Sequence, residues 1–428
     1  MIILRLIAAL TLVYAIFSII KKNSGLRFHP LSVFASIWIM VIWGTCSTIQ
    51  FKVPFENVVY FAILIFASGI TIFLCSYMKS IDHRCSCVEY QKTICSNYRA
   101  IKITLILCIL FRILQLFYDL YIVKKLGGTI SVVFGDAQWL RQAYLSYSSD
   151  AMPFGAKLVS NILNYFAEFG IIIAALLSYY EKKYFSVVLT LFFSLLHAVF
   201  TMSKMSFFMD ICYVVSCFEV LINVNSDSRA GMSSLQQKKE NKKMRRMFLI
   251  IGIGAIVLLG VVSMQRGYGT GDSFAKQLST TFSKAITYLV IPTMAFFKVI
   301  DMNIDLSWGT KTFNVFFKLL GYEFSTFGAI DVGTEDSTVY TMSGMFYADF
   351  GMIGGLVLTV LFIILCSKIY IKVLNKFSIS GLSLFISLNT ILMMSFFTWM
   401  GRITFFWTFP IFISIYSKFF FRRGENNV

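Results

Sequence analysis

An all-α, polytopic membrane protein with about eleven transmembrane helices and two long external loops is the fold this sequence predicts, and three observations carry it. Of its 428 residues, 57% are hydrophobic and only 14% are charged, against about 25% charged in soluble domains. The mean hydropathy is +0.75. Apolar runs of about 17 to 25 residues recur along the chain, each long enough to cross roughly 30 Å of hydrocarbon as a helix. Basic residues gather in short segments between those runs, the pattern of the positive-inside rule. A soluble globular enzyme is excluded. With 5 Pro, 45 Phe and 21 Tyr, so is a disordered, collagenous or mucin-like chain, because such compositions lack apolar surface.

The expected spans are 2–20, 31–48, 57–77, 103–123, 158–180, 184–203, 205–223, 247–264, 346–367, 379–399 and 403–417. The first reads as an uncleaved span instead of a signal peptide: its apolar part is long, no small-residue cleavage site follows, and Lys21 and Lys22 lie on its far side. With residue 1 outside, internal segments carry 23 Lys and Arg and external ones 12, which supports that orientation. The net charge of +17 is thus accounted for by membrane topology and anionic lipid, and no nucleic-acid partner is expected.

On this reading the chain is a single polytopic domain, 1–428, with three notable connections. Segments 124–154 and 265–345 are long external loops, and long ordered loops are usually functional. Segment 224–246 is a basic cytoplasmic linker. Within the second long loop the apolar stretch 285–299, bounded by Lys284 and Lys298 and interrupted by Pro292, is expected to lie at the interface or to re-enter.

Ionisable residues inside spans are expensive and normally find partners. Arg112 with Glu168, and Asp119 with Lys157, fall at matching depths of two neighbouring spans and are expected to pair; Asp210 and Glu219 would extend them into a proton or ion pathway, the functional alternative. His83, Cys85, Cys87 and Cys95 offer zinc-type ligands without the paired Cys-x2-Cys knuckle, so no metal site is assigned. Arg266-Gly-Tyr-Gly-Thr-Gly-Asp272 lacks both the pore helix of a potassium filter and the Gly-Lys-Ser/Thr of a phosphate loop. His29 and His83 are expected inside and His197 within a span, which argues against a histidine-centred site at the outer face. That face instead offers Arg141, Arg266 and Arg402, the acids Asp331, Glu335, Asp336 and Asp349, and many tyrosines, including Tyr340 and Tyr347. Arginines bind phosphate bidentately, and tyrosines stack on and hydrogen-bond sugars.

From Thr338 to Gly354 the chain reads Thr-Val-Tyr-Thr-Met-Ser-Gly-Met-Phe-Tyr-Ala-Asp-Phe-Gly-Met-Ile-Gly. This stretch, opening a late span after a long external loop, resembles the Wzy-type O-antigen polymerases, the repeat-unit polymerases of bacterial surface polysaccharide synthesis. Gly127-Gly128 followed by Arg141, and Met202-Ser-Lys-Met-Ser-Phe, are compatible. The chain departs from the family at Ser337 or Thr338, where Asn is common, and at Lys204, where Arg is.

The resemblance implies a metal-independent membrane glycosyltransferase without a cofactor, in the bacterial inner membrane with its active site facing the periplasm. Its substrates would be undecaprenyl-pyrophosphate-linked oligosaccharides, with a flippase and a chain-length regulator as partners. Under it, Arg141 and Arg266 would hold the pyrophosphate with Arg402 as a third cation, Asp336 is the first candidate base, and Tyr340 and Tyr347 contact sugar. Asp349 either joins them or fixes the loop to the helix mouth. A lipid-linked oligosaccharide flippase and an O-antigen ligase are the alternatives; a flippase would show an internal repeat and short loops, and a ligase a periplasmic histidine.

Overall fold

The computed structural model describes residues 29–47, 83–133, 138–147, 152–224, 242–243, 246–247, 249–255, 260, 290–300, 302, 305–322, 330–332, 336–337 and 340–421. The expected spans 2–20 and 57–77, most of the linker 224–246, and Arg266 lie outside the described residues.

The described elements run in the order α1 Pro30–Ser47, α2 His83–Lys125, α3 Ile130–Val133, α4 Gln138–Ser146, α5 Phe154–Glu181, α6 Phe185–Phe200, α7 Lys204–Val224, α8 Val290–Ile300, α9 Asn314–Leu319, β1 Ile330–Asp331, β2 Asp336–Ser337, α10 Met342–Asn375, α11 Ile379–Met393 and α12 Phe405–Phe420. Two short 3-10 turns, Met394–Phe396 and Met400–Arg402, separate α11 from α12. Five stretches are long and apolar enough to cross a membrane: Cys87–Lys125, Phe154–Glu181, Lys204–Val224, Met342–Asn375 and Ile379–Phe396. They cover the expected spans 103–123, 158–180, 205–223, 346–367 and, for the most part, 379–399. Shorter apolar helices, α6, α8 and α12, overlap 184–203, 285–299 and 403–417.

The differences lie in the connections. Residues 83–102 read as an internal loop because they are polar, yet they form the first turns of the 43-residue α2. The first long loop contains α3 and α4, and the second contains α8, α9 and the antiparallel pair β1–β2, in register Ile330 to Ser337 and Asp331 to Asp336.

Two compact units form, one from Met1–Ser86 with Ile286–Ile411 and the other from Cys87–Ala285 with Phe412–Val428. In the second unit α5, α6 and α7 pack on one another around Phe169, Ile172, Tyr213 and Phe218. Helix α2 approaches α5 closely because Gly170 has no side chain: a Cβ there would lie 2.8 Å from Cys108 Cβ. In the first unit α1, α10 and α11 pack together. The indole Nε1 of Trp38 donates to Ser395 Oγ at 3.0 Å, and His29 meets Tyr370 edge to face at 5.7 Å. The Ser378 side chain accepts from Gly381 N, capping α11, so α10 and α11 join through a tight turn.

Candidate functional site

Helix α2 places Arg112, Gln115 and Asp119 on one face, since offsets of three and seven residues return to the same side of a helix. Arg112 anchors a buried charge cluster. Its Nη2 lies 3.3 Å from Glu168 Oε1 on α5 and 3.4 Å from Asp210 Oδ2 on α7, and its Nη1 donates to Gln115 Oε1 at 2.9 Å. Gln115 donates in turn to Asn164, and Ser194 of α6 donates to Asp210. The Arg112–Glu168 pair is the one suggested by sequence; Asp210 joins it as a second carboxylate on the same guanidinium.

At the Lys125 end of α2 the polar column continues into an ordered loop. Leu126 and the two glycines cap the helix: Gly128 N donates to Val123 O at 2.9 Å, and Gly127 takes a left-handed φ of +84°, a helix stop that glycine adopts without strain. A Cβ on Gly128 would lie 2.7 Å from Leu140 Cδ2, so this glycine lets α4 dock through its buried Leu140. Lys125 Nζ donates to Tyr147 OH at 3.1 Å. From α4, Tyr144 OH donates to Asp119 Oδ1 at 3.5 Å, and Asp119 Oδ2 lies 2.6 Å from His197 Nδ1 near the end of α6. Burial, reinforced by Asp119, pushes the Tyr144 phenol well up. The partners the structure gives Asp119 are therefore His197 and Tyr144, where the sequence suggested Lys157. Arg141 stands one turn before Tyr144 on α4, half-buried.

The first unit holds the motif. Thr341 caps α10, its Oγ1 accepting from Gly344 N at 2.9 Å. The helix then breaks at Gly351, whose φ of 71° and ψ of −173° belong to a region essentially reserved for glycine. Just before the break, buried Asp349 accepts Thr312 N at 2.6 Å on Oδ2 and Lys311 N at 3.3 Å on Oδ1. Trp399 Nε1 donates to Thr312 O at 2.9 Å and meets Phe346 at 4.8 Å. Gly401 lies against the Trp399 ring, which a Cβ there would overlap, and its carbonyl accepts Trp407 Nε1 at 2.7 Å. These contacts fix the turn Met400–Arg402. Arg402 itself is half-buried, burial lowers its guanidinium from the usual range, and no described carboxylate pairs with it.

Of the residues singled out by sequence, Asp349 and Arg402 are thus joined through Thr312 and Trp399. Asp349 accepts a backbone N–H on each oxygen and so tethers the 305–314 segment. Tyr340 is 1% exposed, and that burial raises its phenol, so Tyr347, half-buried beside Phe296 at 6.0 Å, is the more accessible of the two tyrosines. Asp336 starts β2; its side chain and Arg266 lie outside what is described. Sequence reasoning missed the Asp119–His197 pair, although the spacing of Arg112, Gln115 and Asp119 was a usable signal. Eight residues of helix separate Cys87 from Cys95, a rise of about 12 Å, too far for the two thiols to share one metal ion. Cys95 instead contacts Tyr180 OH at 3.1 Å.

The fold and these clusters define a helical protein with apolar helices suited to a lipid bilayer and buried polar clusters on them. No family profile, curated protein or solved structure matches the chain.

Proposed function

We propose that this protein is a membrane-embedded glycosyltransferase of the repeat-unit polymerase kind, joining undecaprenyl-pyrophosphate-linked oligosaccharides into a surface polysaccharide at the periplasmic face of the bacterial inner membrane. One observation carries the reading beyond the resemblance. The Thr338–Gly354 motif is tied, through Asp349, Thr312 and Trp399, to the turn that presents Arg402 without a described counter-charge. A fixed, partly desolvated cation is what a departing pyrophosphate requires, because it stabilises the developing charge without reorganising during reaction. Arg141, on α4 beside Leu140 and Tyr144, and Arg266 are the pyrophosphate-binding residues that the resemblance implies. In this scheme the acceptor hydroxyl attacks the anomeric carbon, the lipid-linked pyrophosphate leaves with the bonding electrons, and Asp336 is the candidate carboxylate for the hydroxyl proton.

The Asp119–His197 pair is the observation behind a second reading, an O-antigen ligase, which would carry a histidine. The surface glycan of a deletion strain separates the two. Loss of polymer with a single capped repeat unit retained is the outcome expected of a polymerase. Loss of all units, the single one included, overturns the polymerase reading in favour of a ligase or a flippase.

A further inference from the structure

We infer that His197, oriented by Asp119, is the general base that takes the acceptor sugar's hydroxyl proton. The inference rests on the glycosyltransferase reading and moves the base away from Asp336. Asp119 is buried and acceptor-only when ionised, so at 2.6 Å the shared proton belongs to His197 Nδ1 and the lone pair of the neutral ring is on Nε2. Nε2 has no hydrogen-bond partner among the described residues, and the His197 side chain is 12% exposed, so the basic nitrogen is not consumed by the fold. The carboxylate is held from its other oxygen by Tyr144, which fixes the imidazole and stabilises the imidazolium formed in the reaction, the role an aspartate plays behind any histidine base.

Placement supplies the substrate class. Tyr144 and Arg141 are three residues apart on one face of α4. The helix that buttresses the base therefore also carries a cation suited to phosphate. A base whose buttressing helix also carries an arginine fits a sugar hydroxyl attacking a lipid-linked glycosyl pyrophosphate. The step balances. His197 Nε2 accepts the hydroxyl proton, the acceptor oxygen bonds to the anomeric carbon, and the bond from that carbon to the pyrophosphate oxygen breaks. The pyrophosphate leaves as an anion, and His197 later returns its proton to water.

A His–Asp pair can also serve only to pin helices together, so the test separates the two roles. Purified full-length protein in nanodiscs is assayed for extension of a synthetic undecaprenyl-pyrophosphate-linked repeat unit. His197→Asn keeps a donor toward Asp119 but has no basic nitrogen, and His197→Ala opens space for a free base. Both variants are expected to extend chains about 10² to 10⁴ times more slowly than the parent, at matched abundance and melting temperature. Added imidazole is expected to restore part of the His197→Ala rate. His197→Asn extending at the parent rate, or a stable His197→Ala that imidazole does not rescue, overturns the inference and leaves the polymerase reading standing. A parent protein that extends no chains refutes that reading itself.

Discussion

Replacing Arg112 by Met tests how the second unit tolerates charge among its apolar helices. In the parent one guanidinium serves two carboxylates, at 3.3 Å and 3.4 Å, with Arg112, Glu168 and Asp210 all buried. Glu168 Oε2 and Asp210 Oδ1 are already buried without a hydrogen-bond partner among the described residues. Methionine fills much of the arginine volume, so packing loss is small and the electrostatic loss dominates. Breaking a buried pair from one side costs about 3 to 5 kcal/mol, which is roughly two to three and a half decades in the unfolding equilibrium. Glu168→Gln alone is expected to cost far less, because Asp210 still faces the cation. The triple variant Arg112→Met, Glu168→Gln, Asp210→Asn is expected to recover most of the loss, since no uncompensated charge remains. Denaturant-induced unfolding of the purified protein in detergent, followed by intrinsic fluorescence, measures all three. Arg112→Met within about 1 kcal/mol of the parent, below the range for a broken buried pair, would refute this account of the cluster.

Three further outcomes follow from the first unit. Asp349→Ala strands the N–H of buried Thr312 and is expected to cost about 1.5 to 3 kcal/mol, the range for a hydrogen bond to a charged group; Asp349→Asn keeps an acceptor and should cost less in the same unfolding assay. Gly351→Ala forces a side chain into φ 71° and is expected to cost about 1 to 3 kcal/mol, measured as a lowered denaturation midpoint. Burial holds the His29 imidazole down to about 3 from 6.5, and its Nδ1 accepts Leu31 N at 3.2 Å. The unfolded state therefore binds the extra proton: the contribution is present above pH 6.5 and falls as pH drops toward 3. Between pH 6.5 and 5 the parent is expected to lose about 2 kcal/mol that His29→Gln does not. Equal pH slopes for parent and variant would contradict it.

What the sequence made legible was governed by apolar length. Helices α5, α7, α10 and α11 announce themselves because their lipid-facing and core-facing sides are both apolar. The early turns of α2 do not, since residues 83–102 carry charge and hydropathy reports only where a helix is apolar. Helix α4 is nine residues long and half polar, so it was hidden inside a loop, although the Gly127-Gly128 stop that positions it was visible. The site was legible in residue types more than in roles. Asp349 was identified, but only the backbone of Lys311 and Thr312 reveals it as a tether. His197 was set aside because it falls within an expected span; its partner Asp119 is 78 residues away in sequence, and the pairing of α2 with α6 is a tertiary fact that no local pattern encodes.

The central claim is that a fixed arginine, Arg402, serves a departing pyrophosphate in repeat-unit polymerisation. The direct measurement is in vitro extension of a synthetic undecaprenyl-pyrophosphate-linked repeat unit by the purified protein and its Arg402→Ala variant, at matched abundance. The account expects the parent to yield a ladder of polymer lengths and the variant to lose about 10² to 10³ in turnover, with Arg402→Lys recovering only part, because an ammonium lacks the bidentate fork. A parent that leaves only single units, or an Arg402→Ala variant that builds the same ladder at the parent rate, would contradict it.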